Sequence, residues 1–263
     1  MKFVPKALER TGDISKSKTD YRSLLVAISL FLVVISSIYF VLGVAIDELS
    51  KRMADDTEVQ LLGSLGEAFP TISPDPGSET ERRFKAAESL FSKLMRYPGL
   101  RELPFELRLI QLDAPNAFAI PGGLVAVSPP LFDWVKTEGG LAFVLAHELA
   151  HHQKRHVTRR LGRGLVMALM DALMGAGGGS TISFGGLSQL TIAQYSQDQE
   201  LEADEVAVEI MRATMGNTSG ALEFLERARA ESEGEGEAGF WSSHPPTQER
   251  LERLKLKLND SGK

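Results

Sequence analysis

The sequence predicts an α+β protein, mostly helical with a small β-sheet, preceded by one transmembrane helix. Three observations lead to this class. An uncharged run of 23 residues, Leu24–Ile46, is long enough to cross a bilayer. Several later segments repeat their apolar residues at helical spacing, whereas two short segments, Phe105–Leu112 and Leu124–Val127, are typical of β-strands.

Composition limits the possible functions. Of the 263 residues 43% are hydrophobic and 24% are charged, which are ordinary values for a protein with a buried core. The net charge of -6 argues against nucleic-acid binding. Cysteine is absent, which excludes disulfides, thiolate ligands and cysteine catalysis. A metal ion would therefore need His, Asp or Glu ligands, and four of the five histidines lie between residues 147 and 156.

The run Leu24–Ile46 rises about 35 Å as a helix, against a hydrocarbon core of roughly 30 Å. Basic residues outnumber acidic ones in residues 1–23. The positive-inside rule therefore predicts a cytoplasmic N-terminal segment and an outer, periplasmic or extracytoplasmic, location for the rest. A cleaved signal peptide is the alternative, because Gly43-Val44-Ala45 has the small-x-small form. The length of the run favours a retained anchor.

The region after the anchor is predicted as a juxtamembrane helix and a linker over residues 47–78, followed by a catalytic-type domain over residues 79–263. The helix ends near Phe69, and the linker contains three prolines and a glycine between residues 70 and 78. Residues 80–95 have helical spacing. The two predicted strands are expected to form a hairpin, with residues 116–123 as a tight reversal.

Four further helices are predicted in residues 140–160, 191–215, 219–230 and 246–258. Residues 165–174 are interpreted as a buried or interfacial helix that ends in a flexible Gly-rich loop at 175–179. The acidic, Gly-rich segment 231–237 is interpreted as a mobile, solvated loop.

His147-Glu148-Leu149-Ala150-His151 fits the pattern H-E-x-x-H within a strongly helical stretch. Residues four positions apart share a helix face, so both imidazoles can reach one ion. Glu148 then lies beside the ion, where a general base for an activated water is needed. A surface helix is disfavoured, because the surrounding residues are apolar on nearly every face.

Two histidines leave a zinc site incomplete, since a catalytic zinc usually has three protein ligands. The remaining candidates are carboxylates and His244. Glu200 and Asp204 form an i, i+4 pair on an otherwise apolar helix face, so they demand a partner. One solution has Glu200 bind the ion while Asp204 accepts a hydrogen bond from a ligand imidazole.

These motifs resemble the HtpX-like and BepA-like gluzincins, a family that includes the CAAX prenyl proteases. The resemblance rests on His147–His151, on E-x-E-A-D at 200–204, on residues 116–123, on Arg155-His156 and on residues 243–250, and covers roughly residues 80–258. It implies a zincin-type metalloprotease domain with one Zn²⁺ per chain, held by His147, His151 and Glu200. The chain departs from the family at Gln197, where Arg is frequent, and in having a single predicted span.

The resemblance also implies that His244 lies near the metal, either as an oxyanion-stabilising group or as a fourth ligand that closes the site. A packing role for a histidine at a helix start is the alternative. His156, at i+5 from His151, is expected to point away from the ligand face and to be structural or to support a ligand. His152 is expected to be exposed.

The predicted activity is hydrolysis of peptide bonds, with Glu148 as the proton carrier and with His244 or Tyr195 assisting at the oxyanion. Expected substrates are extended or unfolded polypeptides, in particular misfolded or unassembled envelope proteins. The segment Leu124–Val127 is predicted as the edge strand to which they add. The alternatives are a zinc-binding assembly factor or chaperone with a closed site and a zinc hydrolase that acts on a non-peptide bond. The sequence gives no oligomeric state.

Overall fold

The computed structural model describes residues 21–173, 195–232 and 243–259. The predicted cytoplasmic segment before residue 21, the Gly-rich loop at 175–179, the start of the helix predicted from 191 and most of the acidic segment lie outside the described residues. The chain divides into two compact units, with the boundary between Val41 and Leu42.

The predicted apolar helix is confirmed as α1, which spans Tyr21–Arg52 and is long and apolar enough to cross a membrane. The separate juxtamembrane helix predicted to begin at residue 47 is wrong in its start, because α1 continues without interruption to Arg52. Ala54 then adopts an extended conformation, and α2 follows at Asp55–Leu62. Acidic residues in the first turn of α2 interact favourably with the helix dipole. A 3₁₀ helix at Gly63–Ala68 completes this segment.

The segment around α2 is tied to the rest of its unit by buried ion pairs. Glu58 is fully buried, and its carboxylate lies 2.7 Å from the guanidinium of Arg101. Asp55 contacts the guanidinium groups of both Arg101 and Arg155, at 2.6 and 2.9 Å. Part of the predicted linker is also paired, since Thr71 forms an antiparallel bridge with Ile110.

The sheet differs from the predicted hairpin. The strands are β1, Glu106–Leu109, β2, Ala117–Ile120, and β3, Leu124–Val127, in the order β1-β3-β2. The hairpin joins β2 and β3 across Pro121-Gly122-Gly123, whereas β1 pairs with β3 in parallel. Gly122 and Gly123 make the reversal with φ of 90° and 99°, a region that favours glycine. Residues 117–120, which were predicted as part of the reversal, form a strand instead.

The helix predicted over residues 140–160 is broken in two. After α3, Glu79–Leu94, and α4, Pro129–Trp134, the chain forms α5, Glu138–Gln153, and then α6, His156–Leu173. The break lies at Lys154 and Arg155, and Arg155 has a left-handed φ of 58°. Its side chain is held by Asp55 of α2, which stabilises a conformation that is costly for a residue other than glycine.

Three further helices follow α6 among the described residues. They are α7, Gln197–Met215, α8, Ala221–Ser232, and α9, Gln248–Asn259. A capping box at Ser196 and Gln199 starts α7, and a left-handed Gly216 ends it. The main hydrophobic core contains residues of α3, α5, α7, α8 and α9 together with β1 and β3. The predicted class, mostly helical with a small sheet and an N-terminal apolar helix, is confirmed.

Candidate metal centre

The H-E-x-x-H pattern lies in the C-terminal half of α5, a helix that is buried on nearly all sides. His147, Glu148 and His151 are each 0% exposed. Thr137 caps the helix by accepting a hydrogen bond from the Gly140 N–H, and packing against α7 covers the face that carries the histidines. Because i and i+4 share this face, the two ring Nε2 atoms come within 3.0 Å of each other.

Four side chains converge at this point: His147, His151, Glu200 and His244. One ligand atom from each lies within 4.8 Å of the others, and all four residues are buried. Glu200 Oε1 is 3.4 Å from His151 Nε2 and 3.0 Å from His244 Nδ1. His244 Nδ1 is in turn 3.2 Å from His147 Nε2.

The chemistry of this donor set fits a metal ion. Asp204 Oδ1 lies 3.0 Å from His147 Nδ1, so a neutral His147 carries its proton there and turns the lone pair of Nε2 toward the cluster. Lone pairs of imidazole nitrogens and of a carboxylate then point at one buried position. Their repulsion is energetically costly unless a cation binds there. Imidazole and carboxylate ligands without a thiolate suit zinc.

Glu148 lies next to the cluster but outside it. Burial raises the pKa of its carboxyl group. Its Oε1 lies 3.4 Å from His244 Nε2. Among the described residues no donor makes a hydrogen bond to either carboxylate oxygen, so both remain available to a reactant. A buried carboxyl group with a raised pKa is suited to accept and return a proton.

The acidic pair on α7 is completed by Arg250, a residue whose role the sequence did not reveal. Arg250 is 1% exposed and donates through Nε and Nη2 to the two oxygens of Asp204, each at 2.8 Å. Its Nη1 lies 2.7 Å from Glu200 Oε2 and also donates to the carbonyl of His244 at 3.1 Å. Two carboxylates buried on one helix face need a cationic partner, so the sequence did indicate that a basic residue lies opposite Glu200 and Asp204.

The charges of this network shift the pKa values of its members. Burial alone would raise the pKa of Glu200, but His244, Arg250 and His147 hold it well below its usual range. Burial would lower the pKa of His147, whereas Glu200 and Asp204 raise it to about 9. Burial lowers the pKa of His151 well below its usual value, which keeps this ring neutral. The ionised carboxylates and the neutral His151 ring are therefore in the states that bind a metal, whereas His147 must release a proton to become a ligand.

The far side of His151 is supported by His156 and Tyr195. His156 Nδ1 lies 3.0 Å from His151 Nδ1, and His156 Nε2 lies 3.0 Å from Glu202. His156 was expected to point away from His151 because a continuous helix was assumed. The break at residues 154–155 instead brings its ring next to that of His151. The Tyr195 ring stacks on His151 at 3.7 Å between centroids, with the Arg160 guanidinium on the other face of the stack. The sequence analysis proposed Tyr195 only as a group that stabilises the oxyanion and did not predict this stacking on His151.

His152 is not exposed as expected but is fully buried. Its Nε2 donates a hydrogen bond of 3.0 Å to the carbonyl of Leu124, and its ring meets Phe105 edge-on. Burial lowers the pKa of His152 to about 4. The residue therefore joins α5 to β3 and does not face solvent.

His244 lies in the cluster and not in a purely packing position. It follows Ser243, whose carbonyl accepts a hydrogen bond from the Tyr195 N–H at 3.3 Å. Arg250 holds the carbonyls of His244 and Pro245. The short segment before α9 is therefore fixed at both ends, and it presents His244 to the position that a fourth ligand would occupy.

Comparison with known proteins agrees with this arrangement. Residues 81–257 match the profile of peptidase family M48, whose members use zinc. The mitochondrial metalloendopeptidase OMA1 of Schizosaccharomyces pombe (strain 972 / ATCC 24843) is 27% identical over 214 residues. That alignment covers 79% of this chain and 60% of the relative, so the chain spans less than two thirds of OMA1. The family match covers well over half of the chain, includes every member of the buried His/Glu cluster, and shows that the protein belongs to peptidase family M48.

Proposed function

We propose that the protein is a membrane-anchored zinc metalloendopeptidase that hydrolyses peptide bonds in extended or unfolded polypeptides. The observation that carries this proposal is the position of Glu148, whose uncommitted carboxylate lies beside the buried cluster of His147, His151, Glu200 and His244. Membership of family M48 and the similarity to a metalloendopeptidase support the same activity.

In the proposed reaction His147, His151 and Glu200 hold the ion, and Asp204 and His156 orient the ligand imidazoles. Bound zinc supplies Lewis acidity, which acidifies water and polarises a peptide carbonyl. Glu148 accepts a proton from the attacking water and returns it to the leaving amine. Its buried environment raises its pKa, which makes the return of the proton easier.

Substrate pairing with Leu124–Val127 is not possible as predicted, because β3 is the central strand and is paired on both sides. The edge of β2 that faces away from β3 pairs with no other strand among the described residues, and β2 contacts α5. Ser128 N donates to Asn116 O, so hydrogen-bonded pairs recur at Phe118 and Ile120. Ala117 and Ala119 therefore direct their N–H and C=O groups away from β3. Both alanines are fully buried, so an extended peptide could pair with this edge, whatever its sequence, only after the residues that cover the edge move.

His244 supports a second state in which the site is closed. Its Nδ1 lies 3.0 Å from Glu200 and 3.2 Å from His147, the position of a fourth ligand. With this ring in place, the coordination position that a substrate needs is taken. A largely inactive zinc-binding assembly factor or chaperone is therefore the second candidate function. Opening requires the segment before α9 to move His244 away from the cluster.

The proposed setting is a membrane in which residues 24–46 form the anchor. The charge bias of residues 1–23 supports a cytoplasmic N-terminus and a protease domain, residues 79–263, on the outer side. Misfolded or unassembled envelope proteins are then the proposed substrates.

The test is degradation of fluorescent casein by the full chain in neutral detergent, together with its zinc content. Wild type is compared with Glu148→Gln, with His244→Ala and with Glu205→Gln as a control on the outer part of α7. We expect Glu148→Gln to lower the rate at least about 10³-fold while it retains zinc, because only the proton carrier is lost. Glu205→Gln should cleave as wild type does.

The outcomes separate the two candidate functions. Cleavage by wild type but not by Glu148→Gln supports the endopeptidase. Cleavage by His244→Ala alone supports an enzyme that is closed at rest. Zinc binding without cleavage by any variant supports the assembly factor. Equal rates on folded and denatured substrate would contradict the edge-strand proposal.

A further inference from the structure

The end of α1 and the start of α6 pack closely within the second unit. A Cβ atom at Gly162 would lie 2.5 Å from Ile46 Cγ2, so only glycine allows this approach. Asp47, the first charged residue after the apolar run, pairs with Arg159 at 3.1 Å and with Arg163. The two helices are thus joined where the anchor meets its first charges.

The contacts fix the direction of α6. Ile46 faces Gly162, while Lys51, further along α1, shares a cavity with Arg159 in the first turn of α6 and with Lys154 just before that helix. The two helices therefore run antiparallel. Residues of α6 beyond Gly162 extend back toward the level of Leu42–Ile46, the last turn of the apolar run.

The shared cavity is basic in a chain whose net charge is negative. Its volume is about 950 Å³, and of the described residues that line it five are cationic and two are acidic. Lys51 and Lys154 are exposed, and neither has an ion-pair partner among the described residues. Two exposed and unneutralised cations beside three arginines form a site for an anionic group.

The depth of this cavity matches that of lipid headgroups. Lys51 follows Ile46 by five residues, a rise of about 7.5 Å along the helix. The headgroup layer on each side of the hydrocarbon core is about 5–8 Å thick. If the apolar run spans the core, Lys51 and the basic start of α6 lie among the phosphates of the lipids.

The turn of α6 that follows Gly162 exposes two apolar side chains at the adjoining depth. Leu165 and Met167 are 36% and 47% exposed, whereas Val166 between them is buried at 7%. They follow Gly162 by three and five residues, which brings them about 4–8 Å past Ile46 toward the hydrocarbon. Basic residues in the first turns of a helix, followed by exposed apolar residues deeper along the bilayer normal, suit a membrane surface.

We propose that α6 is a second membrane contact, in which Lys51 and Lys154 bind the phosphate groups of anionic lipids while Leu165 and Met167 lie in the hydrocarbon beneath. The inference rests on the proposed anchoring of residues 24–46. It extends that proposal by adding a lipid site. Tyr195 lines this site and also stacks on His151, a candidate metal ligand.

Lipid selectivity tests the binding of lipid phosphates by Lys51 and Lys154. The full chain in neutral detergent is incubated with equimolar phosphatidylglycerol and phosphatidylcholine, and the bound lipids are counted by native mass spectrometry. Wild type should prefer phosphatidylglycerol. The double variant Lys51→Gln/Lys154→Gln should lose about tenfold or more of that preference, since each cation near a lipid phosphate contributes about fivefold.

The control variant Lys93→Gln/Lys136→Gln removes the same charge from exposed positions of another surface and should bind lipids as wild type does. An equal loss in both variants, or no loss in either, would overturn the lipid site. Displacement of phosphatidylglycerol by millimolar inorganic phosphate would overturn its assignment to lipid in favour of a free phosphate.

Measurements of depth in the membrane test the contact of Leu165 and Met167 with the hydrocarbon. Because the chain has no cysteine, a single introduced cysteine can be labelled specifically. Val33→Cys, Met167→Cys and Leu256→Cys are each labelled with a fluorophore in the full chain, reconstituted in vesicles that contain brominated lipid. We expect strong quenching at positions 33 and 167 and little at 256, an exposed leucine of α9. Quenching at 33 but not at 167 would refute the second contact and leave the anchor intact. Absence of quenching at 33 would refute the anchor itself.

Discussion

Arg250 shows how one side chain can organise a buried polar centre from outside it. Its guanidinium neutralises Asp204 and Glu200 and at the same time holds the carbonyl of His244. Asp204 in turn orients His147. Three of the four side chains that could hold the metal therefore depend on this residue, although Arg250 is not a candidate ligand.

Replacement of Arg250 by Gln should weaken zinc binding about 10–100-fold, because the groups that orient the ligands lose their support. It should also destabilise the protein by about 3–5 kcal/mol, since two carboxylates would be left buried without their cation. Competition with a fluorescent chelator measures the affinity, and thermal unfolding measures the stability. Arg253→Gln, on the same helix but half-exposed, should change neither quantity. Equal effects of the two substitutions would contradict the role of Arg250.

Among single residues, the sequence predicted those whose relative position is set within one helix. His147, Glu148 and His151 follow from the i, i+4 spacing of one helix, and Glu200 with Asp204 follow from the same spacing in another. The contacts of Arg250 with Asp204 and of Tyr195 with His151 join residues 46 and 44 positions apart. No local pattern encodes such pairs, so an arginine on an amphipathic helix is read as surface.

Among the elements, the errors arose where a partner or a backbone conformation is decided by distant residues. The sequence identified β1 and β3 but not their relative direction, because parallel pairing depends on β2 lying between them in the chain and beside β3 in space. No proline or glycine lies at the break between α5 and α6, so the sequence contains no local signal for it. It depends on Arg155, whose left-handed conformation is stabilised by Asp55 a hundred residues earlier.

Close packing between elements gives a second prediction. Gly139, in the first turn of α5, passes the loop before α8 so closely that a Cβ would lie 2.0 Å from Ser219 O. Gly139→Ala should lower the free energy of unfolding by about 1–3 kcal/mol, because the clash is with backbone and no rotamer relieves it. Circular dichroism during heating of the zinc-loaded protein measures the change. Gly63→Ala, whose Cβ would be 3.7 Å from Val59, is the control and should be nearly neutral. A stable Gly139→Ala variant would refute the tight crossing.

For the whole molecule, the candidate ligands come from three separate parts of the chain, α5, α7 and the segment before α9. A metal ion would cross-link them at the centre of the domain. The sequence predicted the helical class and the long N-terminal apolar helix well, because both follow from hydrophobic periodicity and length. It did not predict how tightly the region before residue 79 is joined to the rest, since that depends on ion pairs across the fold.

Removal of zinc should therefore lower the stability of the whole domain and not only its activity. At free zinc 100-fold above the dissociation constant, binding contributes about 2.7 kcal/mol. For a domain of this size that corresponds to a fall of roughly 5–10 °C in melting temperature on chelation. Differential scanning calorimetry with and without EDTA measures the shift, and stoichiometric zinc, but not magnesium, should reverse it. An unchanged melting temperature would show that zinc does not bind the folded chain.

The ion pairs of α2 have a practical consequence for dissecting the molecule. The family match begins at residue 81, which invites expression of a fragment that starts near there. Such a fragment would lack Asp55 and Glu58, while Arg101, 7% exposed, and Arg155 would stay in place with their charges uncompensated. It would also release Arg155 from the contact that holds its left-handed turn. A truncated enzyme should therefore begin before residue 55, and shorter fragments are expected to be poorly soluble even though they contain every candidate catalytic residue.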